Sequence, residues 1–248
     1  CSENNIAAVL KEHGYRTGMV GKWHLTDFDD VGGYTYAKSQ EVVRSCGFEY
    51  AEAIYAENLE GDWMTTEGVT FSHNMEYVVK KAIDFIADND SRPFFLYFNP
   101  TVPHSSGTVD DALDISCGNT PEGILPESDF SDIPEMTRNF GGSCAAYRAD
   151  IRSRAKSRTI NRILGSIWVD DAVGAIYKTL EETGQLRDTI ILWQLDHGIE
   201  AKGTLFEGGI RIPQFIHYPA GGFAAKTFPG LVSTVDIAPT IFEYAGVP

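Results

Sequence analysis

Three times along this chain a helix-compatible stretch leads into a short apolar run, and polar, chemistry-bearing side chains follow within a few residues. The first passage ends at Lys22 and His24, the second at His104, the third at Asp196 and His197. Strands that alternate with helices are joined by long crossovers and so lie parallel in one sheet. The run Phe94-Phe95-Leu96-Tyr97-Phe98 is apolar throughout, as a strand covered on both faces requires. The pattern predicts an α/β fold with a doubly wound, mainly parallel sheet and helices on both faces. Ligands of such a sheet bind beyond the carboxyl ends of the strands, where all three polar groups are expected.

The individual segments support that reading. Asn4 or Asn5 can cap a helix through His13, with Ile6, Val9 and Leu10 as its apolar stripe and Gly14 as its stop. A second helix is predicted over Ser72–Asp88, where Val78, Val79, Ala82, Ile83, Phe85 and Ile86 recur at helical spacing. A third runs from Thr159 to Thr183 and stops at Gly184, followed by a strand over Thr189–Leu195. Residues 26–70 and 105–157 are rich in Gly, Pro, Ser, Asp and Thr without a sustained period. They read as loop-rich insertions in a single domain spanning 1–248, and long loops of this kind often carry specificity.

Composition narrows the partners. A net charge of -15 repels nucleic acid and anionic membrane surfaces, and there is no apolar run of the length a membrane-spanning helix needs. The four cysteines (Cys1, Cys46, Cys117, Cys144) lack C-x-x-C spacing, which argues against a zinc site. Cys117 and Cys144 flank one loop-rich region and could close a disulfide across it, although nothing in sequence sets their separation.

Lys22 and His24 stand two residues apart at the end of a predicted strand, so both heads can face one anionic group. The run Gly14–Leu25 that contains them resembles a characteristic motif of the sulfatases, members of the alkaline phosphatase superfamily. Three more resemblances follow in the family's order: Pro93–Asn99 leading to Pro103-His104, then Leu195-Asp196-His197-Gly198, then Lys202-Gly203 through Glu207-Gly208-Gly209, Arg211 and Pro213. Val235-Asp236-Ile237-Ala238-Pro239-Thr240 is similar to a structural segment of the same family.

The resemblance implies hydrolysis of a sulfate ester on a sulfated small molecule or polysaccharide, in an extracytoplasmic compartment. Lys22 and Lys202 would contact the sulfate, and one of them or His104 would assist the leaving group. His24 would hold the formylglycine nucleophile and act as the base that expels sulfate. Asp196 and His197 would be metal ligands, for Ca²⁺ or alternatively Mn²⁺ or another divalent ion. The family's Asp-Asp pair and its Cys-x-Pro-Ser-Arg motif, whose Cys becomes formylglycine, do not occur here. The chain therefore reads as a fragment that begins after the nucleophile and is inactive alone. A phosphoesterase or phosphonate monoester hydrolase of the same superfamily, and an inactive sulfatase-like binding or assembly subunit, are the alternatives.

Other residues take plainer readings. Gly208-Gly209 serves a tight turn, Glu207 and Arg211 pair structurally, and Asp170 and Asp171 are not ligands. His13, His73 and His217 have no motif around them and read as surface or satisfied histidines. Arg152, Arg154, Lys156 and Arg158 form a basic cluster, by default a solvated face and otherwise a subsite for a sulfated polymer.

Overall fold

The computed structural model describes residues 4–26, 34–56, 64–66, 68–104, 109–156, 161–198, 200–222 and 224–248. They divide into two compact units, Cys1–Thr179 with Val232–Pro248, and Leu180–Leu231.

In the first unit α1 (Ile6–Glu12) leads into β1 (Arg16–Lys22), then α2 (Tyr36–Ser45), β2 (Tyr50–Tyr55), the hairpin strands β3 (Met64–Thr66) and β4 (Val69–Phe71), α3 (Met75–Ala87) and β5 (Phe94–Asn99). A short α4 (Val109–Ala112), the two-residue strands β6 (Asn119–Thr120) and β7 (Gly123–Ile124), α5 (Cys144–Arg154) and the long α6 (Asn161–Glu182) follow. Two of the caps are those the sequence suggests: Asn5 accepts from Ala8 N at 3.0 Å, and Gly14 at φ +85° ends the first helix; α3 starts later than predicted, capped by Asn74, which accepts from Tyr77 N at 3.0 Å.

The central sheet has the order β2-β1-β5 and is parallel throughout. Strand alternation sends Met19 and Phe95 to one face, against Ala7 of α1 and Val43 of α2, and Val20, Leu96 and Phe98 to the other, among α3, α5 and α6 residues such as Val78, Tyr147 and Trp168. Helices thus cover both faces, as expected. β5 is less enclosed than an all-apolar strand predicts, with Tyr97 44% exposed.

Residues 26–70, expected to be loop, hold α2 and the sheet strand β2. Tyr-Ala-Glu-Ala-Ile-Tyr carries helix formers at its centre, and only pairing with β1 makes it a strand. A bulge shapes it further: Val20 pairs with Glu52 and Gly21 with Ile54, leaving Ala53 unpaired at φ +52°. The extra residue reverses strand parity, so Ala51 packs on one core and Ala53 on the other. The Tyr36 hydroxyl accepts the bulge's N–H at 3.0 Å.

Residues 109–156, expected to be loop-rich, hold α4, α5 and the strands β6 and β7. The disulfide Cys117–Cys144 forms, with a Cα–Cα separation of 6.4 Å. Arg148 and Glu76 make a buried bidentate pair, Nε to Oε1 at 2.7 Å and Nη2 to Oε2 at 3.0 Å, fastening α5 to α3.

In the second unit β8 (Ile191–Gln194) runs antiparallel to β9 (Gln214–His217), with α7 (Glu207–Ile210) between them. Trp193 and Phe215 stack at 5.4 Å between ring centroids. A strand forms within the predicted 189–195, at 191–194, but it pairs antiparallel with β9 in a separate two-stranded sheet and not within the parallel sheet expected for it. The chain returns to the first unit in α8 (Ile237–Ala245).

Candidate functional site

The carboxyl ends of β1, β2 and β5 are drawn together by main-chain and amide hydrogen bonds. Trp23 N donates to Tyr55 O at 2.7 Å, extending the β1–β2 ladder beyond Lys22, and the Asn99 amide donates to Lys22 O at 2.6 Å. Gly21 makes this approach possible: it stands at φ +100°, and a Cβ there would lie 2.0 Å from Asn99 O. Met19 belongs to the α1–α2 side, so alternation along β1 turns Lys22 to the opposite side, and His24 lies two residues beyond the strand. Lys22 is half-buried and His24 exposed.

Beyond β5 the chain turns through Thr101 and Pro103 to a half-buried His104. Gly165 of α6 backs this turn, since a Cβ there would meet Pro103 Cβ at 2.8 Å. Facing it is a histidine that no motif announced. His73 is 2% exposed, and its Nδ1 lies 2.8 Å from Thr101 Oγ1. Burial, joined by the positive charges of His104 and Lys22, pulls its pKa from 6.5 down to about 3. The buried ring is thus neutral throughout the physiological range.

That displacement has a consequence for stability. The folded value lies below the unfolded one, so the unfolded chain binds more protons as pH falls through 6.5, and stability falls with it. Going from pH 6 to pH 5, His73 should remove about 1 kcal/mol. Comparing denaturant midpoints of the wild type and His73→Asn at the two pH values checks this; equal pH slopes would refute it.

The second unit holds Asp196, His197 and Lys202. Asp196 follows β8 and is exposed; its Oδ1 accepts from His197 N at 2.9 Å, and its Oδ2 lies 3.5 Å from His197 Nε2. His197 Nδ1 donates to Gly198 O at 2.8 Å, while Nε2 is the nitrogen beside Asp196. The Gly208-Gly209 pair serves close approach rather than chemistry: Gly198 N donates to Gly209 O at 2.8 Å, and a Cβ on Gly198 would lie 2.1 Å from Gly208 O. Lys202 is exposed, and Glu207 and Arg211 form an exposed pair at 3.8 Å.

Asp196 and His197 offer two donors of the kinds a divalent cation takes. Among the described residues no group of three His, Cys, Asp or Glu side chains is placed to hold a metal ion. Ca²⁺ takes six to eight oxygen ligands, so these two do not constitute its site.

The basic cluster is largely neutralised. Arg152 pairs with Asp110 at 2.8 Å and Asp114 at 2.7 Å, and Arg154 with Asp150 at 2.7 Å and with Asp171. Asp171 also accepts from the Tyr147 hydroxyl at 3.0 Å. Lys156 is exposed, and Arg158 lies outside the described residues. Sequence proximity collected these cations; carboxylates distant in sequence occupy two of them.

Comparison with known proteins identifies the family. The sulfatase family model matches residues 2–247. An arylsulfatase of Clostridium perfringens is 27% identical over 99% of the chain and 59% of its own length, and the N-sulphoglucosamine sulphohydrolase of Homo sapiens 25% identical over 98% and 45%. The crystal structure of the PsFucS1 sulfatase from Pseudoalteromonas sp. has the same fold, with a TM-score of 0.62 at 18% identity over 98% of this chain and 50% of that one. The chain spans about half the length of the curated relatives it matches. The α/β fold, the motifs in their order and the family model lead to one conclusion: the chain belongs to the sulfatase family.

Proposed function

We propose that this chain is part of an enzyme that hydrolyses a sulfate ester, with a formylglycine nucleophile and further metal ligands contributed by sequence outside these 248 residues. The observation that carries the reading is the placement of Lys22 at the end of β1 and of His104 just beyond the adjacent parallel strand β5, two strand ends tied together by the Asn99 amide on the Lys22 carbonyl. A tetrahedral dianion or its ester needs such preorganised cations where charge develops. Lys22 binds a sulfate oxygen, and His104 stabilises or protonates the departing oxygen. His24, beyond the strand and open to solvent, accepts and returns a proton, as an imidazole can act as both base and acid.

In the second unit Lys202 is a further sulfate contact, and Asp196 and His197 contribute to a divalent cation site, with Ca²⁺ the first choice. That ion would supply charge stabilisation at the reacting oxygens. The substrate class is a sulfated small molecule or polysaccharide. The Cys117–Cys144 disulfide supports an oxidising, extracytoplasmic compartment, and none of the described helices is long and apolar enough to cross a membrane.

Calorimetric titration of the chain with inorganic sulfate and, separately, inorganic phosphate tests the reading. Saturable sulfate binding that is lost in Lys22→Met is expected, with no turnover of an aryl sulfate, because no residue of the chain is assigned as the nucleophile. A marked preference for phosphate would favour the phosphoesterase reading. Absence of binding to either anion would refute an anion site on this chain.

A further inference from the structure

We propose that His73 is a positioning residue for the turn that carries His104, acting through the hydroxyl of Thr101. The inference rests on the proposed sulfate site but is tested separately from it. His73 sits on a segment held from three directions. The Tyr55 hydroxyl at the end of β2 donates to Ser72 O at 3.2 Å, and Asn74 caps α3. The Asn74 amide also donates to Cys117 O at 2.7 Å, next to the disulfide. The backbone on either side of His73 is therefore fixed by β2, α3 and the disulfide loop together.

The ring passes that fixity on. His73 Nδ1 and Thr101 Oγ1 are hydrogen-bonded at 2.8 Å with both residues buried, 2% and 4% exposed. Thr101 lies two residues beyond β5 and three before His104, and the intervening Pro103 rests on Gly165 of α6. Asn99, two residues before Thr101, holds the carbonyl of Lys22. One connected set of contacts thus runs from the end of β2 through His73 to the His104 turn, and from the same turn to Lys22. A buried hydroxyl needs a partner, and a neutral imidazole supplies a directional one beside two cations without adding a third positive charge.

A residue that only filled space would be replaceable by any side chain of its volume; a positioning residue requires its hydrogen bond. The experiment uses the whole chain in five forms: wild type, His73→Leu, Thr101→Val, the double variant, and His73→Asn, whose amide can restore a bond from the position of Nδ1. The Hε1 resonance of His104 is recorded by NMR without ligand and during titration with inorganic sulfate.

Both single variants should displace the His104 resonance and weaken sulfate binding about fivefold, the worth of one hydrogen bond. The double variant should do no more than either single change, because both remove the same interaction. His73→Asn should return the resonance and the affinity toward wild type. An unmoved His104 resonance in the single variants, additive effects in the double, or a His73→Asn chain that behaves like His73→Leu would each overturn the proposal. Should His73→Leu fail to fold, Thr101→Val decides, since it deletes only the hydroxyl. If the wild type binds no sulfate, the sulfate-site reading is what fails, and the unliganded His104 resonance still decides the role of His73.

Discussion

In a polypeptide that joins these 248 residues to a formylglycine nucleophile, Lys22→Met should lower kcat/KM for an aryl sulfate by about 10²–10³-fold, the usual cost of one preorganised donor at a developing anion. Met keeps most of the aliphatic stem and removes the charge, so packing at the end of β1 is largely preserved. Lys22 is half-buried at a point where the Asn99 amide holds its carbonyl and Gly21 lets β5 approach closely. A cation in such a place does its work without reorganisation. Arg154→Ala is the internal comparison: its guanidinium is engaged by Asp150 and Asp171, so the rate on a small aryl sulfate should stay within about twofold of wild type. Steady-state kinetics of both variants separates the two cases. A wild-type rate for Lys22→Met would remove Lys22 from the reaction.

What could be read directly from the sequence was what local chemistry dictates. The Asn5 cap, the Gly14 stop, the apolar β5 and the polar groups after β1 and β5 are all signalled within a few residues of where they act. β2 was hidden because Ala and Glu at its centre favour helix, and the pairing with β1 that overrides them, like the Ala53 bulge, is a tertiary event. His73 was passed over for a similar reason. Its partner Thr101 is 28 residues away and carries no motif. The arginines of α5 erred in the opposite direction: adjacency suggested a free basic face, while Asp110, 42 residues before Arg152 in sequence, had already claimed that side chain. One signal could have singled out His73: it immediately precedes the Asn that caps α3, the helix on which the site side of the sheet is packed.

The same long-range logic makes Arg148 the residue whose loss should cost the fold most. Glu76 is fully buried on α3, and both of its oxygens are taken by the Arg148 guanidinium. Arg148 in turn donates to the carbonyls of Ala112 and Ile115 and lies 5.2 Å from the centre of the Trp168 ring. Arg148→Met would strand a carboxylate in a low-dielectric interior and leave two carbonyls without this donor, so the expected destabilisation is about 3–5 kcal/mol. The pair's net worth is a different quantity, because its own desolvation offsets most of the attraction. Glu76→Leu combined with Arg148→Met should therefore recover much of the loss, leaving the double variant more stable than Arg148→Met alone. Urea denaturation of the three variants measures this, with the Cys117–Cys144 disulfide kept oxidised so that the loop it closes is the same in each. A double variant no more stable than Arg148→Met would show that the guanidinium's bonds to the loop carbonyls, and not the buried carboxylate, decide how α5 is held to α3.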